Sequence, residues 1–348
     1  MKKFKKALLV SLVLVVTFGL TACSKSKDYT AHVFFWNYAD PFVGEIRTNL
    51  EKEFKEAGIE YKFYDGANNQ SKQNEQIETA ISSGASILVL NLVEAETGET
   101  VIKKAKDANI PTVFFNRQPP HEIFKDQEEA VLMDGDVVGG AKVQGELIAN
   151  YLLKDYDKYA KEDGVIDYIM IRAELSHDAA TARTKYSVER ANEVLKEAGK
   201  PELRRHASAP SDLLADDWSA AKGKDAMSTI LSTLSDPSSI DLVIGNNDGI
   251  AEGVVSALND KDYNKGDDAK FIPVFGYDAT DSGKDLIANH KLAGTVLQDA
   301  KQNANVISTM VKNKRDGKEF IEGTDLKYDG DFKRIVIKDV AYDPAVHK

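Results

Sequence analysis

Side chains able to do polar chemistry recur at one kind of place in this sequence, the few positions that follow each short apolar run. Asp40 and Phe42 follow the run at 32–36, and Asn116 and Arg117 follow the run at 111–115. Glu174, His177, Asp178 and Arg183 come after 167–171. Asn246, Asn247 and Asp248 come after 242–245, Asp278 ends the stretch at 273–277, and Trp218 opens a helix-like segment after Asp216-Asp217. An ionised carboxylate only accepts and can serve two hydroxyls, arginine donates through a rigid fork, and asparagine does both. Aromatic faces add apolar area against the C–H face of a ring. Together these side chains suit a neutral, polyhydroxylated ligand. Each also has a plainer reading. Asp178 and Asp248 stand where helix N-caps belong, and Phe42 fits a hydrophobic staple. Trp218 fits a core residue, His177 a solvated loop residue, and Arg183 a partner for a surface acid. A hydrolytic reading would pair Asp40 with Asp278, but no Gly-x-Ser-x-Gly or His-Glu-x-x-His pattern accompanies them.

What brings these residues together is the nature of the elements before and after them. The segment 43–57 carries Ile46, Leu50 and Phe54 at helical spacing and is followed by Gly58, a residue suited to a helix C-cap. Strand-like runs at 60–64, 87–92 and 111–115 alternate with helix-like segments at 73–83 and 100–108. The same rhythm returns as 167–171 then 180–198, 242–246 then 248–258, and 272–276 then 282–289. Strands alternating with helices imply right-handed βαβ units and parallel sheets. Ligands of such sheets bind beyond the carboxyl ends of the strands, where the residues above fall. Pro119-Pro120 and 261–268 read as surface loops.

The chain has 348 residues, enough for two domains, with 42% hydrophobic and 29% charged residues. Its net charge of −11 excludes a nucleic-acid partner, which wants a basic face. Lys2, Lys3, Lys5 and Lys6 precede an apolar run at 7–20 that is too short for a membrane span and reads as a secretory signal peptide, residues 1–22. Leu20-Thr21-Ala22-Cys23 looks like a bacterial lipobox, with Cys23 as the lipidated residue and 23–30 as a tether. Cleavage there removes four lysines and no acid, taking the net charge from −11 to −15. Cys23 is the only cysteine, so no internal disulfide forms. Two acyl chains on one residue suffice for stable anchoring to the outer face of a cell membrane.

Several ordered motifs resemble the galactose/glucose-binding proteins of bacterial ABC importers. They are the stretch 69–77, Leu90-Asn91-Leu92-Val93, Asn116-Arg117-Gln118-Pro119, the stretch 177–184, Asn246-Asn247-Asp248, the stretch 273–278, and the stretch 294–300. The resemblance covers nearly the whole chain after the signal peptide. It implies an α/β protein of two doubly wound parallel-sheet lobes joined by a three-segment hinge, the type I periplasmic-binding-protein fold. By this likeness the N-lobe is 31–136 plus 298–331 and the C-lobe 137–297 plus 332–348. The implied sugar ligands are Asp40, Phe42, Asn116, His177, Arg183, Trp218, Asn247 and Asp278. Two positions depart from the pattern. The family's Asp two residues after the His is Ala179 here, with Asp178 beside His177 instead, and its Asn after the Gly-Thr-Val-Leu strand is Gln298. Asp178 and Gln298 are therefore carried as site residues in their place.

The family also holds calcium in its C-lobe. Asp163, Asp167 and Asp241 fit the later ligand positions around Gly164, while Tyr159 and Lys161 fall at early ones, where a lysine cannot coordinate. No other cofactor is implied. The expected role is capture of a hexose by a monomer and its delivery to an importer permease. A sugar-sensing module for a chemoreceptor or sensor kinase is the alternative.

Overall fold

The structure, a computed structural model, describes residues 29–347. The signal peptide, Cys23 and nearly all of the tether lie outside the described residues. In chain order the first half contains β1 (Thr30–Phe35), α1 (Pro41–Ala57), β2 (Glu60–Asp65), α2 (Gln70–Ser82), β3 (Ile87–Leu90), α3 (Gly98–Asp107), β4 (Thr112–Phe115), β5 (Ala130–Gly135), α4 (Val137–Leu153) and α5 (Tyr156–Tyr159). There follow β6 (Asp167–Arg172), α6 (Asp178–Glu197), β7 (Arg204–Arg205), β8 (Leu213–Leu214), α7 (Ala220–Thr233), β9 (Leu242–Gly245) and α8 (Asp248–Asn259). The chain ends with β10 (Val274–Phe275), α9 (Asp281–Ala288), β11 (Val296–Leu297), α10 (Ala300–Arg315), β12 (Arg334–Ile337) and β13 (Val340–Ala341).

The helices begin and end where their sequences dictate. In α1 the Asp40 carboxylate accepts from Val43 N, Pro41 occupies the first turn, and Gly58 closes the helix in the left-handed conformation at φ 63°. Its Phe42, Val43, Ile46, Leu50 and Phe54 form the buried stripe. Strands β3 and β4 are buried at every residue, as parallel strands covered on both faces must be. Each such Leu, Val or Phe stabilises the fold by about 1.5–3 kcal/mol.

Two parallel sheets result. The first has six strands in the order β12-β5-β4-β3-β1-β2. The second runs β10-β9-β6-β7 with β8 also on β6, and β11 and β13 form a small antiparallel ribbon. Helix α10 packs on α1 of the first lobe, whereas α4 packs on α6 and α7 on α8 in the second. The α4–α6 approach is close: a Cβ on Gly145 would collide with the carbonyl oxygen of Ser187. Gly145, which permits this approach, and the neighbouring Gly139 and Gly140 also mask α4 in the sequence, where neither β5 nor α4 stands out from its pattern.

Three crossings join the lobes: at Asp136 between β5 and α4, at Gln298-Asp299 between β11 and α10, and at Lys338-Asp339 between β12 and β13. This corrects the expectation that 332–348 lies wholly in the C-lobe. Arg334–Ile337 pairs with Leu132–Gly135 of β5 as the edge strand of the first sheet, and only the residues after it return to the second lobe.

Candidate functional site

Where the carboxyl ends of the two sheets face each other, a narrow cavity opens between the lobes, in the crevice where ligands of such sheets bind. Trp36, Asp40, Phe42, Asn116 and Arg117 line it from the first lobe. His177, Ala179, Arg183, Trp218, Asn247 and Asp278 line it from the second, and Gln298 from a crossing. Three of these residues are helix N-caps: Asp40 for α1, His177 for α6 and Asn247 for α8. A cap residue sits at a strand-to-helix turn, so connectivity alone aims it at the cleft.

The structure brings together every expected sugar ligand except one. Asp178 is exposed at the first position of α6 and lines an outer cavity with Glu94, Glu96 and Glu174. That cavity shares the wall formed by Asn116, Arg117, His177 and Ala179 with the inner one. The N-cap reading of Asp178 and Asp248 is corrected as well, since the caps are the residues before them, His177 and Asn247. Trp36 and Arg117 line the cavity as well, although neither is among the sugar ligands that the family resemblance implies. Trp36 reads in the sequence as the end of an apolar strand, while Arg117, beside Asn116, carried a usable signal.

On the first-lobe side, the Arg117 guanidinium lies 4.0 Å over the Trp36 ring and donates to the Val93 carbonyl at 2.8 Å. Its Nη2 reaches Glu174 Oε2 of the other lobe at 3.0 Å. Asn116 adopts φ 64° and accepts from Asn91 Nδ2 at 3.0 Å. Burial raises the Asp40 pKa, against the hydrogen bond from Val43 N and the charge of Arg117.

On the second-lobe side, Arg183 Nη1 donates to the Asn246 carbonyl at 3.0 Å and lies 3.6 Å from Asp278 Oδ1. Gln298 Nε2 donates to the same Asp278 oxygen at 3.1 Å. Burial pushes the Asp278 pKa well up, Arg183 opposing it. His177 Nδ1 accepts from Ala179 N at 3.2 Å. Burial, then Arg117 and Arg183, hold the ring neutral, which assigns the proton to Nε2 and leaves a donor there. Trp218 meets the His177 ring edge-on at 5.0 Å and stands at φ 63°, an uncommon conformation for a bulky residue. Asn247 holds it there: its Nδ2 donates to the Trp218 carbonyl at 3.1 Å while its Oδ1 caps Ile250 N. Unusual backbone thus gathers at the cavity, with Asp278 at φ 116° a further case. The set combines acceptors from both lobes, fixed donors and three indole or phenyl groups.

The implied calcium position does not fit a metal ion. Lys161 Nζ stands 2.8 Å from Asp167 Oδ2 and 3.6 Å from Asp241 Oδ2. Arg204 reaches both Asp167 and Asp163 at 2.6 Å. The carboxylates that would bind calcium are neutralised by side-chain cations, and no group of three or more metal-ligating side chains able to hold an ion exists among the described residues.

The chain has clear relatives. A sequence profile of the periplasmic binding protein domain matches residues 31–319. The D-galactose/methyl-galactoside binding periplasmic protein MglB of Haemophilus influenzae is 32% identical over 323 residues, 92% of each chain. A solute-binding protein of a Bacillus halodurans ABC transporter, solved with myo-inositol, superposes with a TM-score of 0.69 at 21% identity, covering 91% of this chain and 95% of that one. A Clostridium phytofermentans solute-binding protein with β-D-glucose gives 0.68 at 21% identity, covering 91% and 94%.

Proposed function

The chain belongs to the periplasmic binding protein family, and from that membership we propose that it is an extracytoplasmic lipoprotein that captures a neutral hexose between its lobes and hands it to an ABC importer. The observation that carries the reading is the cavity itself. Asp40 and Asp278 contribute carboxylates from opposite lobes, Arg183 and His177 contribute donors, and Trp36, Phe42 and Trp218 contribute aromatic faces. A polyol satisfies both carboxylates without a counter-charge, and a phosphate ester is repelled by them. The relative in Haemophilus influenzae is named for D-galactose and methyl-galactoside, which supports a hexose of that kind. Binding without turnover suits a site whose lining side chains hold one another in place, as Arg183, Gln298 and Asn247 are held. A micromolar Kd, about 8 kcal/mol, asks little of a ligand with about twelve heavy atoms.

Calorimetry with galactose, glucose, methyl-galactoside and glucose 6-phosphate tests the ligand class. Free hexoses should bind and the phosphate should not. Asp278→Asn should weaken the best hexose by about 1.5–3 kcal/mol, the worth of a charge-assisted hydrogen bond. Tighter binding of the phosphate ester than of any free sugar would overturn the reading. For the anchor, Cys23→Ser in the native host should release the protein or leave its precursor uncut, while residues 24–348 still bind sugar. Membrane retention of the processed mutant would refute lipidation at Cys23.

A further inference from the structure

The ring beneath Arg183 carries a hydroxyl that takes no part in lining the cavity. Tyr277 follows β10, is fully buried, and lies outside the cavity wall. Its ring centre is 3.5 Å from the guanidinium carbon of Arg183, well inside the range of a cation–π contact. Its hydroxyl donates to Asp339 Oδ2 at 2.5 Å. Asp339 stands on the third crossing, between β12 of the first sheet and β13 of the second-lobe ribbon. Only 8% of Asp339 is exposed, and its Oδ1 has no hydrogen-bond partner among the described residues.

The pair meets where two crossings run side by side. A Cβ on Gly140, in the first turn of α4, would collide with the Tyr277 hydroxyl and come within 2.6 Å of Asp339 Oδ2. A Cβ on Gly135, at the end of β5, would stand 3.3 Å from the same oxygen. The close approach of the first and third crossings therefore encloses this one hydrogen bond. Keeping a carboxylate there is costly, because a buried carboxylate with one unsatisfied oxygen is destabilising, and an apolar pair of the same shape would pack at least as well.

Arg183 has need of such a support. Its Nη1 is held by the Asn246 carbonyl, but its Nε has no partner among the described residues. Beyond that bond, its Nη1 lies 3.6 Å from Asp278 Oδ1 and its guanidinium carbon 3.5 Å from the centre of the Tyr277 ring. The lobes are closed in this structure: Arg117 reaches Glu174, and Asp281 N donates to Glu45 Oε1 at 2.7 Å, each across the cleft. Resting on the reading of the cavity as a hexose site, we propose that Tyr277 and Asp339 are positioning residues for Arg183. The ring fixes the plane of the guanidinium, and the hydroxyl–carboxylate bond ties that ring to the third crossing. Arg183 is thereby aligned for the ligand when the crossing has its closed conformation.

The test uses the mature chain with Tyr277→Phe, Asp339→Asn, the double variant and Tyr277→Leu. Hexose affinity is measured by calorimetry, dissociation rate by tryptophan fluorescence, and stability by denaturant unfolding. Tyr277→Phe keeps the ring and loses the tie, so dissociation should quicken by roughly tenfold, the effect of one hydrogen bond to a charged group. The double variant should be no worse than either single one, the signature of a shared interaction. Tyr277→Leu, which also removes the ring, should lose roughly a further fivefold. A wild type that binds hexose, with variants that lose stability but bind as tightly and release as slowly, would overturn this proposal alone. A wild type that binds none of the hexoses would overturn the reading of the site and this proposal with it.

Discussion

Arg117 Nη2 and Glu174 Oε2 are 3.0 Å apart, although one residue follows β4 in the first lobe and the other follows β6 in the second. Arg117 is 5% and Glu174 32% exposed, so the pair is shielded on one side and open on the other. Glu174 Oε2 also accepts from Trp218 Nε1 at 3.4 Å. The contact exists only while the lobes are together. Glu174→Gln should therefore leave hexose association nearly unchanged and raise dissociation by roughly three- to tenfold, as loss of a docked charge pair acts on release. Stopped-flow fluorescence separates the two rates, and a slower association with unchanged release would contradict the assignment.

Trp218 is the aromatic most committed to its place, held by Asn247 and set against His177. Trp218→Ala should cost hexose binding about 2 kcal/mol or more, as loss of a buried aromatic anchor does. Trp218→Phe should recover part of it. Calorimetry on both, alongside circular dichroism to verify folding, checks this. Unchanged affinity in a folded Trp218→Ala would make it a core residue.

The second lobe should be indifferent to calcium. With Lys161 and Arg204 on Asp163, Asp167 and Asp241, millimolar calcium or a chelator should leave the unfolding midpoint unmoved. Lys161→Asn should destabilise by about 1 kcal/mol, a value reduced by the lysine's partial exposure. A chelator-induced drop in the wild-type midpoint would reverse the conclusion.

Asp248 predicts a pH dependence with a definite sign. Its carboxylate is 1% exposed and accepts from Thr280 N, Thr280 Oγ1 and Thr295 Oγ1. Burial nevertheless raises its pKa to about 7. The folded state then binds a proton more tightly than the unfolded chain, so this group adds stability as pH falls from about 7 toward its ordinary value of 3.8. His177, held neutral when folded, works in the opposite direction below 6.5, so the comparison must be with Asp248→Asn. The wild type should gain on that variant by at most about 1.4 kcal/mol per pH unit in this window. Parallel stability–pH curves for the two proteins would exclude it.

Much of this architecture is local and was therefore legible. The spacing of Ile46, Leu50 and Phe54, the cap glycine at 58 and the buried runs at 87–92 and 111–115 each lie within one short window. The cavity-lining positions followed from them, because a parallel sheet forces the residue after each strand toward the same edge. A single step along the chain was enough to mislead at Asp178. His177, the extended cap residue, lines both cavities, whereas Asp178, the first residue of the helix, reaches only the outer one. The remaining features depend on contacts between distant segments that carry no local signature. Arg334 finds Leu132 as an edge strand, Arg117 finds Glu174 across the cleft, and Tyr277 finds Asp339 on a crossing 62 residues away. The sequence by itself determined the alternating elements and the residues at their ends. Only the tertiary structure decided which of those ends face one another, because that choice is made by the packing of two lobes and by the path of the three crossings between them.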